Sequence, residues 1–164
     1  MVKDIDLWLC NFANLANKIF PEKADPEYPG CGAAGGLGFA FLAFTNSELK
    51  PGIDIVAQAS KLEDFAKNTD IVVTGEGRMD AQTAMGKVPV GVAKIAKKYD
   101  EPVIAFAGSV TKDAGECNKF GIDAFFPILR ELTSLEEAME TTNAKANLAA
   151  TAEQVFRVLK VEQL

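Results

Sequence analysis

The apolar residues of the chain follow two periodicities, one typical of strands and one of helices. Three short runs, at residues 71–73, 102–107 and 122–128, are almost continuously apolar. Such runs are typical of strands that are covered on both faces of a parallel sheet. From residue 4 to residue 20, in contrast, apolar side chains recur every three or four positions, which is the period of an α-helix. The pattern predicts a mixed α/β chain.

Residues that start and interrupt helices refine this prediction. Asp4 or Asp6 is a candidate cap for the first helix, and residues 133–137 contain two overlapping capping-box patterns. Three prolines make residues 21–30 an irregular connector. The predicted helices span residues 4–20, 30–44, 51–59, 62–67, 89–99 and 114–120, and two more begin near residues 134 and 143.

The order of these elements predicts the fold class. Strands that alternate with helices pair in parallel, so we expect a three-layer α/β/α fold with a small, mostly parallel sheet of about three core strands. We expect residues 1–164 to form a single α/β domain that contains the connector. An open parallel sheet of three strands is small, which indicates that further strands come from another chain or from a larger protein.

Composition and charge exclude several classes of function. The net charge of −6 argues against binding to nucleic acid or to an anionic membrane, both of which require a basic surface. The chain has no histidine, and its three cysteines are too widely spaced for a thiolate zinc site. Acid–base chemistry therefore falls to Asp, Glu, Lys or Tyr, and a metal would be a hard ion such as Mg²⁺. We expect a cytoplasmic protein.

A glycine-rich stretch at residues 30–38 offers a first candidate binding site. Gly30, Gly32 and Gly35 match the spacing of the dinucleotide-binding fingerprint, but that fingerprint requires a strand immediately before it, and residues 26–29 are not one. Two interpretations remain open. The amides of a glycine-rich helix start bind phosphate or carboxylate, or the small residues allow close packing of the helix.

A second candidate site follows the first predicted strand. Residues 74–77 contain two glycines, Gly75 and Gly77, and we expect a sharp turn there whose amides contact an anion. In open α/β sheets, ligands bind beyond the carboxyl ends of the strands. Gly86 and Lys87 resemble part of a P-loop, but the other required positions do not match. The polar side chains in this stretch are Glu76, Arg78, Asp80, Gln82, Thr83 and Lys87.

These side chains fit phosphoryl transfer. A carboxylate such as Asp80 accepts the proton of the acceptor hydroxyl. Arg78 and Lys87 neutralise charge on the phosphate oxygens, and Glu76 is the candidate Mg²⁺ ligand. The sequence leaves ordinary structural roles open for the same residues: a helix cap for Asp80, solvated surface charges for Glu76, Arg78 and Lys87, and local hydrogen bonds for Gln82 and Thr83.

The residues of this stretch resemble a known family. Residues 74–83, with Gly86-Lys87 and residues 89–93, are similar to a signature of the glycerate kinase type I family. Residues 29–38 and 49–53 are similar to further signatures of the same family, and the order is consistent from about Tyr28 to the last residue. The resemblance implies ATP-dependent phosphorylation of glycerate, with Mg²⁺, on a two-domain α/β fold.

The resemblance also implies site residues and partners. It carries the helix-start glycines over to Gly32, Gly35 and Gly36, and the polar site over to Glu76, Arg78, Asp80, Gln82 and Lys87. The individual roles follow from charge and placement: we expect catalytic roles for Asp80, Arg78 and Lys87 and a metal ligand at Glu76. The expected substrate- and phosphate-binding positions are Gly32, Gly35, Gly36, Gly75, Gly77, Gln82 and Thr83. The partners would be glycerate and ATP, with no nucleic acid and no membrane.

Members of this family are longer than this chain. They begin with an Asp-Ser-Phe-Lys stretch and an Ala-Asp-Gly-Gly-Glu-Gly stretch, neither of which occurs here. We therefore expect the C-terminal portion of such a kinase, which supplies a share of the active site. Two alternatives remain: a module that binds nucleotide or anion without catalysis, and a structural fragment that forms homo-oligomers through its sheet edge.

Overall fold

The computed structural model describes residues 2–23 and 25–161 of the chain. They form two compact units, Met1–Ile55 and Val56–Leu164. That these units make up one domain stays a prediction. The elements in chain order are α1 (Val2–Ile19), α2 (Ala33–Phe44), α3 (Gly52–Ala59), α4 (Leu62–Ala66), β1 (Val72–Met79), α5 (Ala81–Ala84), α6 (Val88–Ala96), a 3₁₀ turn (Lys97–Tyr99), β2 (Val103–Val110), a 3₁₀ helix (Ala114–Phe120), β3 (Ala124–Pro127), α7 (Leu135–Met139) and α8 (Thr141–Val161).

The first unit contains α1 and α2, which pack through small and aromatic residues. Ala13 and Ala16 of α1 are buried against Phe39 of α2, and the Phe12 ring also contacts Phe39, with 6.0 Å between ring centroids. The outer apolar side of α1 is exposed, and Trp8 keeps 80% of its surface. The predicted helix is confirmed, and the connector after it consists of turns and bends in the described residues.

The predicted caps of α1 are wrong. The helix already includes Val2, so Asp4 lies within its first turn and Asp6 lies further inside. Neither residue therefore occupies the extended position before a helix that an N-cap requires. An acidic residue in the first turn is still favourable, because it interacts with the positive end of the helix dipole.

The glycine-rich stretch explains how α2 begins. Ala34, Gly35 and Gly36 have positive φ angles of 51°, 70° and 91°, so the backbone kinks before the regular helix. Glycine adopts this left-handed conformation without steric cost. Gly38 serves a different purpose, since a Cβ there would lie well under 3.0 Å from the Gly30 carbonyl oxygen. Close packing therefore accounts for part of this sequence.

The second unit contains the three-stranded parallel sheet in the order β1-β2-β3. This confirms the predicted strand pairing and fold class. The predicted turn at residues 74–77 is wrong, because β1 continues through these residues to Met79 and pairs with β2 up to Val110. The pairing with β2 overrides the turn preference of the two glycines, while β3 is shorter than predicted.

Helices cover both faces of this sheet. On one face, Val103 and Ala105 of β2 pack against Val90 and Ala93 of α6. On the other face, the alternate residue Phe106 packs with Val155 of α8. Successive strand residues point to opposite faces, so a strand as apolar as β2 requires cover on both. The three-layer α/β/α arrangement is confirmed.

The helices after the sheet begin close to their predicted positions. The side chain of Ser134 caps α7 and forms a capping box with Glu137, which is one of the two predicted patterns. The last helix, α8, begins at Thr141 rather than near residue 143. Within the described ranges 2–23 and 25–161, no helix is long and apolar enough to cross a membrane.

Candidate functional site

The polar residues predicted from the sequence gather where β1 and β2 end. Glu76 and Arg78 lie on the last part of β1, and Asp80 follows directly after it. Arg78 is opposite Ser109 of β2 in the strand register. Because both strands run in the same direction, their carboxyl ends form one edge of the sheet. The structure therefore places these residues at the edge where open α/β sheets bind ligands.

Asp80 occupies the centre of this cluster and lies between two cations. The Arg78 Nε atom and the Lys87 Nζ atom are each 3.8 Å from its carboxylate, whose side chain is 21% exposed. Asp80 is also the N-cap of α5, where its Oδ1 accepts a 2.9 Å hydrogen bond from the Gln82 amide. At 3.8 Å the ion pairs are too long for hydrogen bonds, so both cations retain donors for another anion.

The hydroxyl of Thr83 connects the Glu76 carboxylate with the Asp80 backbone amide. The Thr83 side chain is completely buried, and its hydroxyl donates a 2.5 Å hydrogen bond to Glu76 Oε1. Thr83 Oγ1 also accepts a 3.2 Å hydrogen bond from the Asp80 amide, which completes the capping box. The hydroxyl is thus engaged within the protein. A substrate contact by Thr83 or by the exposed Gln82 stays a prediction.

We expect Thr83→Val to destabilise the protein, because valine fills the same volume but leaves the Asp80 amide without its acceptor. Loss of these buried hydrogen bonds lowers the free energy of unfolding by about 2 kcal/mol. Thr83→Ser keeps the hydroxyl and serves as the matched control, although it loses a buried methyl group. Urea denaturation of both variants measures the difference. Equal stability of the two variants would contradict the structural role of the hydroxyl.

The chemistry of Glu76 fits a magnesium ion only in part. Its carboxylate is half-buried, and Thr83 occupies one of its oxygens. Throughout residues 2–23 and 25–161, no group of three or more Asp, Glu, Cys or His side chains forms a potential metal site. Mg²⁺, however, is commonly held by one or two carboxylates together with substrate phosphates and water. Glu76 fits this shared type of binding.

Sequence reasoning missed Thr111 and Asp113, which follow the end of β2. The Thr111 hydroxyl hydrogen-bonds Asp113, and this bond is the main reason why the pKa of Asp113 is lowered. The backbone amide of Asp113 itself, that of Ala81 and the Arg78 guanidinium also favour the charged carboxylate. Their position directly after a buried parallel strand could have identified Thr111 and Asp113 from the sequence. The same feature identified Asp80 after β1.

Cys117 lies beneath the cluster and is fully buried. Burial raises the pKa of its thiol, and the negative charges of Glu76 and Asp80 raise it further. A thiol in such surroundings stays protonated and is a poor nucleophile. Its Sγ atom is 3.7 Å from the Asp80 carbonyl oxygen, to which it donates a hydrogen bond. Cys117 is therefore a structural neighbour of the site.

The predicted glycine positions differ in the space around them. A Cβ at Gly75 would lie well under 3.0 Å from the Phe106 carbonyl oxygen, whereas Gly77 has no heavy atom within 4 Å of that position. The backbone at Gly77 is therefore open to a ligand. At position 75, the close approach of β2 is the reason for glycine. In the first unit, three further predicted positions line a cavity of about 370 Å³ together with Asp6 and Glu27: Gly32, Gly35 and Gly36.

Fold and site together define a parallel α/β protein with a carboxylate between two cations at the ends of its strands. The sequence profile described as the glycerate kinase family matches residues 1–160. The chain belongs to the glycerate kinase family.

Several curated proteins are similar to this chain. Glycerate 2-kinase of Escherichia coli K12 is 44% identical over 92% of the chain, and the match covers 41% of the E. coli protein. Glycerate kinase of Haemophilus influenzae is 43% identical over 97% of the chain, and glycerate kinase of Bacillus subtilis is 42% identical over 98%. The chain spans about two fifths of the length of each of these relatives.

A solved structure agrees with the sequence matches. The crystal structure of a candidate glycerate kinase 2 from Salmonella typhimurium LT2 superimposes with a TM-score of 0.68 at 42% identity. The match covers 94% of this chain and 38% of that protein. The similarity in sequence and in structure therefore extends over nearly the whole chain.

Proposed function

We propose that this chain supplies part of the active site of a glycerate kinase, which transfers a phosphoryl group from ATP to glycerate. The observation that carries the proposal is the position of Asp80 between Arg78 and Lys87, 3.8 Å from each, at the carboxyl ends of the strands. Its membership in the glycerate kinase family supports the choice of reaction.

In the proposed step, the hydroxyl oxygen of glycerate attacks the γ-phosphorus of ATP. The bond between this phosphorus and the bridging oxygen breaks, and ADP leaves. The Asp80 carboxylate takes the proton of the hydroxyl. Arg78 and Lys87, whose side chains are 68% and 45% exposed, move from Asp80 to the phosphoryl oxygens and stabilise their charge.

The remaining predicted residues would hold the substrates. Glu76 would bind Mg²⁺ together with phosphate oxygens, and the ion, when bound, would neutralise part of their charge. The open backbone at Gly77 and the exposed Gln82 would contact an anion near Asp80. In the first unit, the amides around the kink would bind a phosphate or carboxylate: Gly32, Gly35 and Gly36. Ligand contacts by Gly75 and Thr83 stay predictions.

A coupled assay of ADP release with ATP, Mg²⁺ and D-glycerate tests the proposal. Glycerate-dependent release of ADP by the chain of 164 residues would show that its share of the active site is sufficient for turnover. A chain that showed no turnover but melted at a higher temperature with ATP and Mg²⁺ would instead support a nucleotide-binding module without catalysis. No turnover and no thermal shift would contradict both functions.

The proposed setting is cytoplasmic, with glycerate and ATP as the partners of the chain and with no nucleic acid. Self-association through an edge strand of the sheet, β1 or β3, stays a prediction that sedimentation velocity would test. Trp8, the single tryptophan, reports on association through α1, because its fluorescence would shift to shorter wavelength when a neighbour covers it.

A further inference from the structure

The backbone around Asp80 is held by the segment that follows β2. The Thr111 amide donates a 3.0 Å hydrogen bond to the Met79 carbonyl oxygen, and the Thr111 hydroxyl lies 3.2 Å from the same oxygen. One residue further along, the Asp80 carbonyl oxygen accepts the hydrogen bond from the Cys117 thiol. Two consecutive carbonyl groups of the site are therefore fixed by residues 111–117.

The Thr111 hydroxyl contacts two acceptors but has only one proton to donate. The Met79 carbonyl oxygen already accepts a hydrogen bond from the Thr111 amide. A hydrogen bond to a carboxylate is also stronger than one to a neutral carbonyl. The proton therefore goes to Asp113, which the short contact between the two side chains supports. Thr111 thus connects the end of β1 with Asp113, and Asp113 is in turn near the Ala81 amide and Arg78.

The hydrogen bond to the Met79 carbonyl also restrains the two site residues on either side of Met79. Its side chain is completely buried, and it lies directly between Arg78 and Asp80 in the chain. A fixed Met79 carbonyl therefore limits the backbone rotation of both neighbours. Arg78 and Asp80 themselves have partly exposed side chains and a loose ion pair, so their relative orientation depends on how the backbone between them is held.

We propose that Thr111 is a positioning residue for the Arg78–Asp80 pair in phosphoryl transfer. The inference rests on the proposed function of this pair. Thr111 does not touch the substrates. Its amide holds the Met79 carbonyl and its hydroxyl holds the Asp113 carboxylate, so that the proton acceptor and the charge-stabilising cation keep their relative geometry. A misplacement of about 1 Å at such groups can slow a reaction by a factor of about 100.

Steady-state kinetics of Thr111→Val and Thr111→Ser test this role. Valine has nearly the same shape as threonine but no hydroxyl, and serine retains the hydroxyl without the methyl group. We expect kcat to fall about tenfold in Thr111→Val, with the KM for ATP and for glycerate within about twofold of wild type. Thr111→Ser is expected to restore most of kcat. Equal kcat in the two variants, or a change confined to KM, would overturn the proposal.

Hydrogen exchange tests the positioning role of Thr111 independently of whether the chain turns over. If the wild-type chain releases no ADP, the proposed turnover is wrong for this chain, but the restraint remains measurable. The amides of Asp80 and Gln82 are hydrogen-bonded within the capping box. Exchange at these amides that is about tenfold faster in Thr111→Val than in Thr111→Ser would support the positioning role. Equal exchange in both variants and wild type would overturn it.

Discussion

The Asp80→Asn variant is expected to lose ADP release by a factor of about 100 or more while its fold stays intact. A positioned general base typically contributes a factor of this size, and an amide cannot accept the proton of the glycerate hydroxyl. Asparagine caps a helix about as well as aspartate, so the bond from the Gln82 amide is retained. The coupled assay gives the rate, and thermal denaturation checks the fold.

Two further variants make this result interpretable. Glu153→Gln removes one negative charge from an exposed ion pair with Arg157 on α8, outside the residues of the proposed site, and is expected to leave the rate unchanged. Asp80→Ala removes the base together with the cap and is expected to lower the free energy of unfolding by about 1 kcal/mol. If Asp80→Asn retained the wild-type rate, Asp80 would be a helix cap and no more.

The second large effect concerns the sheet that carries the site. We expect Gly75→Ala to lower the free energy of unfolding by about 3 kcal/mol. The new Cβ would lie well under 3.0 Å from the Phe106 carbonyl oxygen, which belongs to the backbone of the central strand and cannot rotate away. For a chain of this size the midpoint of thermal unfolding would fall by roughly 10 °C.

Gly77→Ala is the matched control on the same strand. It adds the same methyl group where no heavy atom lies within 4 Å, and its effect on the free energy of unfolding is expected to stay within about 0.5 kcal/mol. Circular dichroism during heating compares the two variants. Similar losses of stability would show that the spacing of β1 and β2 is not the reason for glycine at position 75. Weaker ATP binding by a stable Gly77→Ala variant would support the proposed ligand contact.

The elements that the sequence predicted correctly depend on local or periodic patterns. The amphipathic period of residues 4–20 corresponds to α1, and the capping box at Ser134 and Glu137 starts α7. Apart from Pro102, the apolar run at residues 102–107 lies within β2, the most deeply buried strand. Such patterns depend only on residues that are close in sequence. They therefore predict the same element in any fold that buries its apolar side.

The predictions that failed concern residues whose local preference and final environment differ. Residues 74–77 have the composition of a turn, yet they lie within β1 because Thr74, Gly75 and Glu76 pair with β2 and the pairing resumes at Arg78. The first helix begins before its predicted caps, and Ala13 and Ala16 pack it against α2. Tertiary contacts outweigh these weak local preferences.

By itself, the sequence determined the α/β class, the parallel sheet and a set of polar residues at the end of the first strand. Only the tertiary structure decided how these residues are used. It buries Thr83 between Glu76 and Asp80, and it brings Thr111, more than 30 positions after Asp80 in the chain, to the Met79 carbonyl. Periodicity depends on neighbours in sequence, whereas these contacts arise from two strands brought side by side, a pairing that no local pattern contains.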